Sequence, residues 1–496
     1  MNARSALPAS APFHVASIFG WAAAAILLGC ALAVSGLPGL YAILILATLI
    51  VFAAIALRYP ALALGASIWA LALVPFSLGI TTGVLPKLFG DEALLLLYLV
   101  VFPALYLSQS RTWQPGLSSV YWVLALFVFA QSLSLLAGSD LVAFRNLLET
   151  VVLGALLLVV FLQESANTKD PESIPDSVIW LIVSLAALSI IERVLQRNPL
   201  LEHSTSISYM SPELVRLTEG VYRPYVTFFH PSETGTFMAL GVPFVLRRWI
   251  QRRSFLSFAL LTIVAGGIAV NATRGVWVGV AVALLLLARR PLLIVISAIP
   301  VLSIGAAVGY FLFRTTPFMQ RLTDPNNFYS RLVYWTLALK VFAYHPALGI
   351  GHMQFKNVYL AYVHDISNTA HFDISKIFAI DNMYLTNLVE HGLVGFIAFI
   401  ATLLFLGLSL GRLRKRLLAA HLPTIATLVR CSQLALVTYA VTGCFADIHE
   451  FTKATKFVFI LVGIGFGIGA RALHTAPPTS VTPDLTGPLS TEPCHE

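Results

Sequence analysis

The chain has 496 residues, of which 58% are hydrophobic and only 11% are charged. A soluble domain carries about 25% charged residues, so this composition excludes a large soluble enzyme. The formal net charge of +8 is not gathered into a basic tract with interleaved aromatic residues, so we predict no nucleic-acid partner. In a membrane protein, an excess of Lys and Arg is the ordinary means of holding cytoplasmic loops inside.

Apolar runs long enough to cross a bilayer recur from one end of the chain to the other. Because lipid offers the backbone no hydrogen bonds, such runs fold as helices. We therefore predict an all-α polytopic membrane protein with about 12–14 transmembrane helices. The predicted spans are 16–35, 39–57, 61–80, 92–108, 119–137, 147–162, 177–195, 233–246, 254–271, 275–288, 291–313, 383–410, 424–445 and 455–470.

Two long polar segments interrupt these spans, at 196–231 and 314–381. Residues 330–344 of the second segment are apolar but too few to cross, which predicts a helix lying at the membrane interface. A shorter polar stretch at 163–176 is expected to be a solvated loop. We divide the chain into an N-terminal transmembrane bundle (1–195), a second transmembrane region that holds both long loops (196–472) and a disordered tail (473–496).

Basic residues predict the orientation in the membrane. Dense clusters at 247–253, 289–290 and 412–416 fall on the same side as the N-terminus when the spans are counted. The positive-inside rule then places both termini in the cytoplasm and both long loops on the outer face. The four cysteines show neither a pairing pattern nor the spacing of metal ligands.

Four arginines lie in the predicted outer parts of the chain, where the positive-inside rule gives no reason for them: Arg223, Arg274, Arg321 and Arg331. Each one alone is compatible with a side chain that reaches for a lipid headgroup. As a group, their guanidinium forks suit the oxygens of a pyrophosphate. Arg274 is the strongest candidate because it lies between two apolar runs, where an arginine is costly without a partner.

Asp381 lies where the second long segment re-enters an apolar helix. Either Asp381 or Asn382 is expected to cap that helix. Asp381 is also placed to act as a general base that takes a proton from a sugar hydroxyl. The histidines of the segment match no familiar set of metal ligands, so we predict no metal; they are His345, His352, His364 and His371.

Taken together, these motifs resemble the O-antigen ligase and polymerase superfamily of bacterial surface-polysaccharide assembly. The motifs are an arginine followed by His-Pro, a Thr-Arg-Gly-x-Trp signature, an Arg-x3-Trp helix that runs into His-Pro-x-x-Gly-x-Gly, and an Asp-Asn helix start with a glycine further on. They begin at Arg223, Thr273, Arg331 and Asp381 and cover roughly residues 215–410.

The resemblance implies that a glycan carried on undecaprenyl pyrophosphate is transferred to an acceptor hydroxyl at the outer face of the bacterial cytoplasmic membrane. It implies inverting glycosyl transfer that needs neither a metal nor a cofactor. The implied roles are pyrophosphate binding by Arg223, Arg274, Arg331 and Arg321, catalysis by Asp381, Asn382 and His371, and a substrate loop formed with His230, His345, Gly349 and Gly351.

Two departures from the ligase pattern favour a polymerase of lipid-linked repeats, for O-antigen or exopolysaccharide. Ligases carry a histidine where this chain has Asp381, and a threonine where it has Gly395. The alternatives are an O-antigen ligase acting on lipid A core, a protein O-oligosaccharyltransferase, and a transporter of lipid-linked sugars. A transporter would be expected to show internal repeats, and we find none between the halves. Expected partners are the lipid-linked donor, a glycan acceptor, the bilayer, a chain-length regulator and a flippase.

Overall fold

A computed structural model describes residues 60–73, 79–82, 85–89, 117–138, 141–168, 170, 172–200, 222–228, 230–287, 326–363, 380–448 and 452–475. Within these residues the regular structure is helical apart from one short hairpin, which confirms an all-α polytopic membrane protein. The predicted spans at 16–35, 39–57, 92–108 and 291–313 and most of the predicted tail lie outside the described residues.

The described part of the first 200 residues contains five α-helices and the hairpin. They are α1 (Pro60–Leu73), β1 (Gly79–Thr82), β2 (Leu85–Phe89), α2 (Ser118–Ser132), α3 (Leu141–Leu147), α4 (Leu153–Asn167) and α5 (Ser173–Leu195). A 3-10 turn, Leu133–Leu136, extends α2, and a π-helical turn, Leu148–Val152, joins α3 to α4. The strands are antiparallel, with Gly79 opposite Phe89. The hairpin was not predicted, and the predicted span at 61–80 is wrong at its end because α1 stops at Leu73.

The rest of the described chain adds nine helices. They are α6 (Pro231–Arg252), α7 (Phe255–Asn271), α8 (Arg274–Leu287), α9 (Asn326–Tyr344), α10 (Phe355–Val358), α11 (Leu360–Val363), α12 (Met383–Ala419), α13 (Pro423–Thr442) and α14 (Thr452–Thr475).

Six helical segments among the described residues are long and apolar enough to cross a membrane. They are Ser118–Leu136, Leu141–Asn167, Ser173–Leu195, Met383–Ala419, Pro423–Thr442 and Thr452–Thr475. Helices α7 and α8 are apolar but shorter. The predicted helix at 330–344 exists as part of α9, and its position at the membrane interface stays a prediction.

The predicted solvated loop at 163–176 is wrong at both ends, because residues 163–167 belong to α4 and residues 173–176 begin α5. Helix α4 continues to Asn167, and the side chains of Gln163, Glu164 and Ser165 are fully buried. Polar residues are therefore not exposed here, because polar side chains inside a helix bundle can pair with protein groups instead of water. The Gln163 amide, for example, donates to the Tyr121 hydroxyl of α2.

Helix α14 packs along α4 through two glycines. A Cβ at Gly463 would lie 2.5 Å from the Leu158 carbonyl oxygen, and one at Gly467 would collide with the Leu162 carbonyl. Small residues four apart allow helix backbones to approach closely inside a membrane. The predicted N-terminal bundle and the second transmembrane region therefore share one packed core, which runs from α1 to α14.

Candidate functional site

The segment 222–228, which precedes α6, is fixed by a buried carboxylate near the end of α5. Glu192 accepts hydrogen bonds from the Tyr222 hydroxyl at 2.7 Å and from the amides of Tyr225 and Val226 at 3.1 and 2.7 Å. The Val226 backbone is left-handed, with φ 50°. The Glu192 carboxylate thus accepts hydrogen bonds from both the Tyr222 side chain and the backbone of the turn. It thereby sets the position of Arg223, which lies between them.

That arginine, Arg223, is only 4% exposed. Its Nε donates to the Asn271 carbonyl at 3.1 Å, and its Nη2 donates to the hydroxyls of Thr273 at 2.8 Å and Ser232 at 3.3 Å. The guanidinium therefore joins the start of α6 to the junction of α7 and α8. In this arrangement Arg223 holds the frame of the site, and its side chain has little surface left for a ligand.

Asn271, the last residue of α7, completes the same junction. Its side-chain amide donates to the carbonyls of Pro224 at 3.0 Å and Pro231 at 2.7 Å. Sequence reasoning missed Asn271, although its position three residues before Arg274 was a signal that could have identified it. Arg274 begins α8 and is exposed, so it is the accessible arginine of this corner.

His230 caps α6. Its Nδ1 accepts from the Ser232 amide at 3.1 Å, and Pro231 occupies the first helical turn, as proline readily does. His230, to which the resemblance assigns a substrate-loop role, therefore also has a structural role as the cap of α6.

The start of α12 forms the second half of the site, the first half being the residues around Arg223 and Arg274. The Asn382 side chain accepts from the amides of Tyr384 and Leu385 at 3.0 and 3.1 Å, so Asn382 is the cap. Asp381 has left-handed backbone, with φ 54°, which is uncommon outside glycine. Its carboxylate lies 3.5 Å from the Arg331 Nε, with 45% of the Asp381 side chain exposed. The structure thus leaves Asp381 partly open to solvent.

Helix α9 lies against this end of α12. The Trp335 indole donates to the Ile380 carbonyl at 3.1 Å, one residue before Asp381. Burial, and then the charge of Asp381, raise the pKa of the Tyr334 phenol. The Arg-x3-Trp motif therefore has a physical meaning, because Arg331 pairs with the Asp381 carboxylate while Trp335 of the same helix holds the Ile380 backbone just before it.

The turn after α13 connects the two halves. The Met383 amide donates to the Gly443 carbonyl at 2.8 Å, and the Asn382 side chain donates to the Cys444 carbonyl at 3.2 Å. On its other side, a Cβ at Gly275 would lie 2.6 Å from the Phe445 Cβ. The residues after Arg274 and those after Asp381 therefore contact one turn, which brings both helix starts to the same end of the bundle.

The Gly-rich loop 345–351 is interlocked with a break in α12. Gly392 leaves helical geometry, with φ 63° and ψ −168°, and the loop supplies the hydrogen bonds that the helix loses. The amides of Ile350 and Gly351 donate to the carbonyls of Val389 and Glu390 at 3.1 and 3.0 Å, and those of Leu393 and Val394 donate to the carbonyls of Pro346 and Ala347 at 2.8 and 3.3 Å. We call this four-bond arrangement the interlock.

Three glycines make the interlock possible. Gly349, Gly351 and Gly392 all have positive φ, at 74°, 104° and 63°. A Cβ at Gly349 or Gly392 would collide with backbone across the contact, and one at Gly351 would collide with the Gly138 carbonyl. The glycines assigned to the substrate loop thus serve close backbone approach. His345, at the start of the loop, is exposed, and its Nε2 lies 3.1 Å from the Tyr362 hydroxyl.

Behind the interlock, three side chains that sequence reasoning did not group lie together. His352, Glu390 and His391 are all buried, and one ligand atom of each lies within 4.8 Å of the others. The His352 Nδ1 is 3.1 Å from the His391 Nε2 and 3.8 Å from a Glu390 oxygen. Separation in the chain hid this group, because His352 comes almost forty residues before the other two.

The structure therefore brings Arg274, Arg331, Asp381 and Asn382 to one end of the bundle, with Arg223 buried beneath Arg274. Two of the predicted residues, Arg321 and His371, lie outside the described residues.

The known family that matches is described as O-antigen ligase, and its model matches residues 258–400. The matched region includes the α7–α8 junction, α9, the interlock and the start of α12. No curated protein matches the chain. The motifs that carried the resemblance and the region that matches thus coincide from α7 to α12. The chain is a multi-pass membrane protein whose residues 258–400 match the O-antigen ligase family model, and this match confirms the predicted resemblance to the O-antigen ligase and polymerase superfamily.

Proposed function

We propose that this protein polymerises undecaprenyl-pyrophosphate-linked oligosaccharide repeats at the outer face of the cytoplasmic membrane. The observation that supports the proposal is the meeting of helix starts around the turn 443–446. An exposed arginine, Arg274, begins one of these helices, and a partly exposed carboxylate, Asp381, precedes the other. A cation for a leaving group and a base for an attacking hydroxyl are the two groups that glycosyl transfer from a pyrophosphate requires.

In the proposed reaction, an acceptor sugar hydroxyl attacks the anomeric carbon of the donor. Asp381 takes the hydroxyl proton as the new glycosidic bond forms. The bond from the anomeric carbon to the pyrophosphate breaks, and the lipid pyrophosphate leaves with the electron pair. Attack opposite the leaving group inverts the anomeric centre, and the reacting atoms need no metal.

Arg274 and Arg331 are assigned to the charge that develops on the pyrophosphate. Arg331 has 34% of its side chain exposed and lies beside the Asp381 carboxylate. It is therefore placed to orient the base before the donor binds and to meet phosphate oxygens afterwards, since guanidinium groups bind both kinds of oxyanion. Arg223, which is buried, is assigned to holding the α7–α8 junction under Arg274.

The test compares Asp381→Asn and Arg274→Ala with a matched control, Arg252→Ala. Arg252 is an exposed arginine at the other end of α6. Both site variants are expected to reach the membrane at wild-type level and to abolish chain elongation, while the control elongates normally. Near-normal elongation by both site variants would contradict the proposal.

A second candidate is an O-antigen ligase, which the description of the matching family favours. The glycan of a deletion strain separates the two functions. A single repeat on lipid A core indicates a lost polymerase, whereas long chains retained on the lipid carrier indicate a lost ligase. The identity of the residue before Asn382, aspartate instead of histidine, is what directs our proposal to the polymerase.

A further inference from the structure

We propose that His352, Glu390 and His391 form a buried binding site for one divalent transition metal ion of the zinc type, which fastens the interlock. The proposal is independent of the proposed function, because it concerns how the loop is held and not how a sugar is transferred. It replaces the prediction from sequence that His352 and the other histidines of the segment 314–381 bind no metal.

Hydrogen bonding determines where the protons of the two imidazole rings lie. The His391 Nδ1 is 3.2 Å from the Gln131 carbonyl oxygen, which can only accept, so Nδ1 carries the proton. The neutral ring then presents a lone pair at Nε2. That atom points at His352.

The second ring reaches the same state from its own neighbour. The Thr150 hydroxyl donates its proton to the Asn146 carbonyl at 2.7 Å. The Thr150 oxygen lies 3.5 Å from the His352 Nε2 and therefore acts as an acceptor towards that nitrogen. A proton on the His352 Nε2 suits this contact and leaves a lone pair on Nδ1. In this tautomer two nitrogen lone pairs face each other across 3.1 Å and a cation between them would stabilise the pair, whereas in the other tautomer of His352 its Nδ1–H donates to the His391 Nε2.

The carboxylate of Glu390 supplies the negative charge and a third ligand. Its Oε2 accepts from the Met353 amide at 2.7 Å and its Oε1 from the Phe355 amide at 3.4 Å, so the group is aimed by backbone. The His352 Nδ1 lies 3.8 Å from Oε2. In a tetrahedral zinc site with ligand distances of 2.0–2.1 Å, ligand atoms lie about 3.3 Å apart. A carboxylate shift of roughly half an ångström would bring the Glu390 Oε2 to that distance from the His352 Nδ1.

The surroundings match those of known metal ligands. A ligating histidine usually donates its other ring N–H to a carbonyl or a similar acceptor, as His391 does to Gln131. Two histidines and a glutamate are a zinc ligand set, in which a water completes the four-coordinate shell. His352, Glu390 and His391 are at most 1% exposed, which fits a closed structural site.

The ligands also lie on the two sides of the interlock. His352 follows Gly351, whose amide bonds to the Glu390 carbonyl, and His391 precedes the helix break. A bound ion would therefore fasten the loop to α12 by side chains next to the point where the backbones already meet.

The experiment uses the full chain, purified in detergent with an affinity tag that contains no histidine. Metal content is measured by mass spectrometry before and after stripping with EDTA, followed by reconstitution with Co²⁺ and visible absorption spectroscopy. We expect roughly one mole of bound metal per mole of chain and the strong visible bands of tetrahedral Co²⁺. His352→Gln and Glu390→Gln should each lower the Co²⁺ affinity at least about tenfold, since even outer-shell changes cost that much.

His345→Gln is the matched control, because His345 belongs to the same loop but is exposed. It should bind Co²⁺ like the wild type. The proposal is overturned if wild-type protein holds no metal and gives no tetrahedral spectrum on reconstitution, which would leave a shared proton between the rings. It is equally overturned if the control loses as much affinity as the ligand variants. Should the ligand variants fail to fold, the wild-type spectrum alone decides.

Discussion

Gly392→Ala should destabilise the protein strongly, because the interlock leaves no room for a side chain at the break in α12. The backbone angles of Gly392, φ 63° and ψ −168°, belong to a region that is essentially restricted to glycine. Forcing another residue into it costs about 1–3 kcal/mol. A Cβ there would also collide with the Ala347 carbonyl and lie 2.5 Å from the Gly349 amide nitrogen.

The collision pushes the loop away and weakens two hydrogen bonds of the interlock. These are the bonds from the amides of Leu393 and Val394 to the loop carbonyls. Each contributes about 1 kcal/mol net, so the total loss is about 3–5 kcal/mol. A loss of this size lowers the apparent melting temperature by several degrees.

Gly407→Ala is the matched control, in the same helix. An added Cβ there meets only the Leu436 Cδ2, at 3.8 Å, which is an ordinary contact. Since alanine is favoured over glycine by about 0.5–1 kcal/mol within a helix, this variant should melt at or slightly above the wild-type temperature. The assay is thermal unfolding of the detergent-purified protein, followed by size-exclusion chromatography. Equal melting of Gly392→Ala and wild type, or an equal loss in both variants, would refute the reasoning.

Two further predictions concern buried charges. Glu192→Ala should lower the melting temperature in the same assay, with a loss of about 2–4 kcal/mol, because the Tyr222 hydroxyl and two amides lose their acceptor; unchanged melting would show that the turn holds itself. Lys456→Met should cost at most about 3–5 kcal/mol, because it removes the ammonium 3.5 Å from the Glu149 carboxylate but leaves Arg145 at 3.9 Å, and adding Glu149→Gln should restore part of the loss. A double variant less stable than Lys456→Met would contradict the ion pair.

The sequence predicted the helical membrane class and most of the described helix positions, because long apolar runs have few ways to satisfy their backbone in lipid. The sequence predicted burial less well for polar side chains that lie inside the bundle. Glu164 and Lys456 are charged residue types, yet both are fully buried inside the bundle. Hydropathy counts side-chain types and cannot tell which of them find partners on another helix.

The candidate site was predictable in its residues but not in their division of labour. Arg223 and Arg274 look alike in sequence, and only the fold shows that one is buried in a frame while the other is exposed. Asp381 and Asn382 were both possible caps, and the structure gives the cap to Asn382. The His352 cluster was missed because its members come together only through the interlock, a contact that no local pattern announces.

The interlock also bears on how the chain enters the membrane. A helix broken at Gly392 would present carbonyls and amides to lipid without partners, at a cost of several kcal/mol for each group. The groups that satisfy them lie on residues 346–351, which are synthesised before α12. When the helix break at Gly392 leaves the ribosome, the loop residues that hydrogen-bond to it have already been synthesised. The order of the loop and α12 along the chain thus suits insertion during translation, because the loop is already present when α12 packs against it.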